Sequence, residues 1–161
     1  NWSLISFTAL FPFYTSMSIL TTLSSGWILD KFGVEKILPF YLLPMSLGLL
    51  IFSYGDTYVH AMIGLAFLGM TQGLAMTIGG TFWPTYYGTK NLGCVRSLST
   101  STMVFGTSLG PALVGMLLDF GHNYNFILLG MCILAIFASV SLAITMTRAP
   151  KLLSENIKKG A

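Results

Sequence analysis

The sequence predicts an all-α membrane protein with five transmembrane helices, and three observations carry that expectation. Its 161 residues are 54% hydrophobic and only 8% charged. A soluble domain is normally about a quarter charged, so a water-facing surface cannot be assembled from this chain. Five apolar runs, over residues 2–25, 37–54, 60–84, 95–118 and 124–146, each come close to the ~20 residues that cross a bilayer core. The basic residues all gather at one set of run ends, and a basic tail occupies 148–161.

Backbone groups cannot go unpaired in lipid, so apolar runs of this length must be helices. In the first run Thr8, Thr15, Ser18 and Thr22 fall within about 80° of arc at about 100° per residue, which makes one polar face. The second run is almost purely apolar, as a lipid-facing helix should be. The third carries Gly69, Gly73 and Gly80 on one face, with the amide of Gln72 beside them. The fourth has a hydroxyl face of Ser97, Thr100, Ser101, Thr107 and Ser108. Gly106 and Gly110 lie roughly opposite, a G-x-x-x-G spacing that permits close helix approach, and Pro111 removes one backbone donor. The fifth run is again almost purely apolar. A buried hydroxyl can bond the backbone one turn back, so each polar face serves either a helix contact or a water-filled path; three such helices together favour a shared cavity.

The run ends carry aromatic belts, with Trp2, Tyr54, Tyr58 and Tyr124 on one side and Trp27, Trp83, Tyr86 and Tyr87 on the other. Lys31, Lys36, Lys90, Arg96, Arg148, Lys151, Lys158 and Lys159 all fall on the second side. The opposite loops hold only Asp56, His60, Asp119 and His122. The positive-inside rule therefore puts the 26–36 hinge, the Lys90–Arg96 loop and the C-terminus in the cytoplasm. A bacterial inner (plasma) membrane is the expected location. The first residue is Asn and a span begins at once, so the sequence reads as a piece whose N-terminal part lies elsewhere.

The net charge of +3 is small and spread along membrane edges, which gives no basis for binding nucleic acid. Cys94 and Cys132 provide neither a disulfide framework nor a metal spacing. His60 and His122 read as residues of short outer loops, and two histidines without further ligands make a poor metal site. No cofactor and no catalytic constellation can be drawn, so an enzyme is not expected.

The hinge Gly26-Trp27-Ile28-Leu29-Asp30-Lys31-Phe32-Gly33-Val34-Glu35-Lys36 has the spacing G-x-x-x-D-K-x-G. It resembles the signature of the major facilitator superfamily, G-x-x-x-D-[RK]-x-G-[RK]-[RK]. The match lies on Gly26, Asp30, Lys31 and Gly33. Val34 and Glu35 replace the basic pair, with Lys36 following, an erosion similar to the copy between the family's eighth and ninth helices. The run from Phe82-Trp83-Pro84 through Lys90 to Arg96-Ser97 is similar to the loop between its tenth and eleventh helices.

The resemblance implies helices eight to twelve of a twelve-helix secondary transporter, lacking its N-terminal seven helices. Such a protein moves a small solute through the lipid bilayer by alternating access, and the loop pattern implies small organic anions. It further implies a cytoplasmic gating motif of Gly26, Asp30, Lys31, Gly33, Lys36, Lys90 and Arg96, with Asp30 latching one access state. Thr8, Thr15, Ser18, Thr22, Gln72, Ser101 and Ser108 become candidates for the substrate path. The competing reading is a non-transporting membrane sensor or assembly subunit on the same fold. Single cysteines placed at Glu35 and Asn123 are expected to label from opposite sides of intact cells; labelling of both from outside refutes the orientation.

Overall fold

The computed structural model describes residues 8–55, 57–87 and 92–159, with side chains through Thr147. Trp2, Asp56, Gly88 and Lys90 lie outside the described residues. The described elements are helices: α1 (Phe11–Phe32), α2 (Val34–Ile37), α3 (Leu43–Tyr54), α4 (Tyr58–Tyr87), α5 (Leu92–Asp119) and α6 (Tyr124–Lys159). Among them α4, α5 and α6 over Tyr124–Thr147 are both long and apolar enough to cross a membrane.

The other two expected spans fall short for different reasons. Helix α1 has the length, but Thr15, Ser16, Ser18, Thr21, Thr22, Ser24 and Ser25 dilute its apolar character. Helix α3 has the character but only 12 residues, about 18 Å against the ~30 Å of a bilayer core. The expected span over 37–54 begins late because residues 38–42 form turns closed by Phe40 N–H to Ile37 O and Leu43 N–H to Phe40 O. Pro39 and Pro44 bracket these turns, and each lacks the N–H that a continuous helix would use.

Helix boundaries shift at the hinge as well. No breaker stands between Gly26 and Phe32, so α1 runs on past residue 25 and stops at Gly33. That glycine has φ 81°, and its N–H closes onto Leu29 O at 2.8 Å. Positive φ is accessible to glycine at little steric cost. At the other end of the chain α6 continues through the segment expected as a tail, to Lys159.

Helix α4 is the spine. Helix α1 packs along it in parallel, with Tyr14 and Ser18 against Gly69, Ser18 and Thr22 against Gly73, and Ser25 against Thr77. A Cβ built on Gly69 would lie 2.6 Å from Tyr14 O, and one on Gly73 would lie 2.5 Å from Ser18 O. Small residues spaced four apart thus let the two backbones touch. Helix α3 packs on α4 through a second glycine contact, with Gly48 facing Gly64 O and Phe67.

The expectation that the second and fifth spans face lipid is corrected in part. Helices α3 and α6 run antiparallel against each other through polar contacts at steps of seven residues on both. Ser53 donates to Asn125 O at 3.3 Å, Cys132 Sγ donates to Ser46 O at 3.4 Å, and Ser139 donates to Pro39 O. A repeat of seven is what keeps two helices in register. Ser46, Ser53, Cys132 and Ser139 are all buried there, while Ile133, Leu134 and Phe137 of α6 point outward. Each of these spans therefore has one packed side and one exposed side.

Three apolar clusters hold the arrangement. Leu29, Val34, Leu38 and Ile78 join the hinge to α4, with Leu142 and Met146 of α6 packed on them. Leu10, Ala61 and Leu65 close the opposite end. Leu49, Leu128 and Cys132 join α3 to α6. Helix α5 has no buried residue among its 28, and a Cβ at Gly106 or Gly110 would meet nothing within 4 Å. The close approach expected of that glycine pair is not used among the described residues.

Replacing Gly73 by Ala is expected to lower the thermal midpoint of the chain in detergent, since overpacking against backbone costs about 1–3 kcal/mol. Gly80, where a Cβ meets nothing within 4 Å, should accept Ala unchanged or with a gain of up to ~1 kcal/mol from helix propensity. Equal midpoints for the two variants would remove the close approach as a determinant.

Candidate functional site

The hinge comes together at one end of the bundle. Helix α1 delivers Asp30 and Lys31, Gly33 turns the chain, and α2 presents Glu35 and Lys36. Lys31 does not pair with Asp30. Its ammonium lies over the Trp27 ring at 4.9 Å and the Phe32 ring at 5.6 Å, a cation–π placement that is electrostatically favourable beside an aromatic belt. Asp30 is exposed and has neither an ion-pair nor a hydrogen-bond partner among the described residues. A Cβ at Gly26 would meet nothing within 4 Å among the described residues.

Glu35, standing where the signature has a basic residue, lies close to the Tyr86 hydroxyl near the end of α4. That hydroxyl also lies 3.8 Å from the sulfur of Met146. The hinge is thus tied to the ends of α4 and α6 together. Lys36 lines a groove between the hinge and α6 with Pro39, Phe40, Ala143 and Met146. Neither Tyr86 nor its link to Glu35 was legible in the motif, because the two residues lie some fifty positions apart.

The candidate path residues separate into two groups. Ser18 and Thr22 sit in the α1–α4 contact, half-buried, with Thr22 donating to Ser18 O at 2.8 Å and lying 3.5 Å from Gly73 O. Ser25, fully buried, continues the same face and meets the Thr77 hydroxyl at 2.6 Å. Extending the Ser18–Thr22 periodicity by three residues would have found it. Thr8, ahead of α1, and Thr15 on it are exposed, and Thr15 donates to Phe11 O at 3.0 Å. Gln72 is exposed on α4, turned away from the packed face of Gly69 and Gly73.

The fourth hydroxyl face is different in kind. Arg96, Ser97, Thr100, Ser101, Val104, Phe105 and Ser108 line an open groove of about 700 Å³, and all seven belong to α5. Their spacing follows one face of a helix. Ser101 and Ser108 lie in it together, each with its hydroxyl turned back onto its own helix, at 2.9 Å to Ser97 O and 2.8 Å to Phe105 O. Arg96 stands inside the helix, in its second turn from Leu92. Arg96 thus shares one face of α5 with Ser101 and Ser108. No cluster of metal-ligating side chains occurs among the described residues.

The chain is 23% identical over 164 residues to the "Probable galactarate/D-glucarate transporter GarP" of Escherichia coli strain K12, and equally to that of strain O157:H7. Each alignment covers 97% of this chain but 37% of the relative. No solved structure gives a significant match. A sequence profile of the Major Facilitator Superfamily matches residues 1–161. The chain is an integral membrane protein and belongs to the Major Facilitator Superfamily.

Proposed function

We propose that this chain is one portion of a secondary transporter that moves a small organic acid anion across a membrane by alternating access. The observation that carries the reading is α5, an amphipathic membrane helix with Arg96 and hydroxyls along a groove and no residue buried against the rest of the chain. A polar face left open in this way suits one wall of a solute path whose other wall belongs to the remainder of the transporter. Such sites lie at the interface of two repeats that rock about them. The relatives spend nearly two-thirds of their length outside the matched region, which leaves room for that second wall. Between α5 and α6 an apolar groove of about 540 Å³, lined by Gly110, Leu117, Phe126 and Gly130, offers a seat for a further helix. The relatives' printed solutes, galactarate and D-glucarate, are dicarboxylates, and this supports an acid anion as cargo.

The hinge serves as the gate. Asp30, exposed at the end of α1, is placed to meet a helix N-terminus from the other half, where a carboxylate is favoured by about 0.3–1 kcal/mol. Transport needs no bond-making, and the family and its relatives are transporters rather than enzymes.

In the complete transporter Asp30→Asn is expected to keep normal expression and slow uptake by about two- to fivefold, the rate equivalent of that stabilisation. Unchanged uptake in this variant, with loss in Gly26→Leu, would make the hinge a packing device. The 161-residue chain alone, reconstituted into proteoliposomes, is expected to show no saturable uptake above empty vesicles over a panel of small solutes. Substrate-specific uptake by the chain alone would replace the two-wall path with a small self-assembling carrier.

A further inference from the structure

We propose that Arg96 and Thr100 form a carboxylate clamp at the hinge end of the α5 groove. The proposal rests on the transporter reading above and adds to it the side chains that select for charge. An anion requires N–H or O–H donors that are not already engaged. Most hydroxyls of the groove are engaged. Ser97 donates to Cys94 O at 2.9 Å, and Ser101 and Ser108 likewise donate to carbonyls of α5. Thr100 shows no such bond among the described residues, and it is exposed.

Arg96 stands one helical turn away, exposed and without an ion-pair partner among the described residues. Side chains four apart on a helix are neighbours, so the guanidinium fork and the Thr100 hydroxyl converge on the same volume. Arginine meets a carboxylate through two parallel N–H···O bonds, which fixes geometry as well as charge. Among the described residues no carboxylate pairs with it. Asp119, the other charged residue of α5, sits at the opposite end of the helix, and Glu35 lies beside Tyr86. Val104 and Phe105, farther along the groove, present apolar surface to the carbon chain of the solute.

The test uses the complete transporter in proteoliposomes, with D-glucarate, galactarate, the monoacid D-gluconate and the neutral hexitol galactitol as probes. Wild-type protein is expected to prefer the diacids. Arg96→Gln should raise KM for D-glucarate by about tenfold or more with kcat within about twofold, the signature of a lost charged hydrogen bond. Thr100→Val, which keeps the side-chain shape, should raise KM by about three- to tenfold, and Arg96→Lys should recover part of the arginine loss. Thr102→Val, whose hydroxyl is bonded to Leu98 O at 3.0 Å outside the groove, serves as the control with wild-type KM. Wild-type D-glucarate uptake with unchanged KM in both groove variants overturns the clamp and leaves the transporter reading intact. A fall in kcat alone makes Arg96 a gating residue and also overturns it. Uptake of galactitol only, or of none of the four probes, overturns the clamp together with the anion reading.

Discussion

The arrangement depends on the backbone contact between α1 and α4 at Gly69 and Gly73. Lipid tails offer no hydrophobic drive for helix pairing, so association falls to close van der Waals packing and interhelical hydrogen bonds. The missing Cβ atoms let Ser18 O and Tyr14 O approach α4 to distances that any larger residue would block. Once α1 is seated, the Ser25–Thr77 hydroxyl bond and the Leu29–Ile78 cluster extend the same contact toward the hinge. The hinge therefore takes its position from packing that begins two turns and more above it.

Hydroxyl chemistry then divides the polar faces into two kinds. Nearly every Ser and Thr of α1 and α5 that is described with a partner donates to a carbonyl three or four residues back. This local satisfaction makes a hydroxyl inexpensive in lipid, and it leaves the side chain's small size as its main contribution to packing. Ser18, Thr22 and Ser25 are used in that way against α4. On α5 the face of Ser97, Thr100, Ser101 and Ser108 is lined by that helix alone, so it stays open, with Arg96 and Thr100 retaining unengaged donors among the described residues.

The far side of the bundle is held by a different device. Helices α3 and α6 share a seven-residue register through Ser53, Cys132 and Ser139, each bonding a backbone oxygen of the other segment. Three weak polar bonds of this kind set register more than strength, because each contributes on the order of 1 kcal/mol. Tyr86, lying against both Glu35 and Met146, connects that pair to the hinge at the end of the bundle. A displacement of the hinge would thus be felt by α4 and α6 together.

The sequence by itself determined the membrane class, the turn at Gly33 and the family, because composition and a signature spacing are properties of the chain alone. It also revealed which helices carry polar faces, since a period of about 3.6 residues is visible without coordinates. Only the tertiary structure decided what each face meets. Gly69 and Gly73 are crowded by backbone, whereas Gly26, Gly80, Gly106 and Gly110 face open space, yet all are small residues at similar spacings in the sequence. Residues 37–54 and 124–146 read as lipid-facing because they are apolar, and their few serines and Cys132 gave no sign of a shared register. Periodicity defines a surface, but its partner comes from distant residues, and pairing across fifty to a hundred positions leaves no local trace in a single sequence.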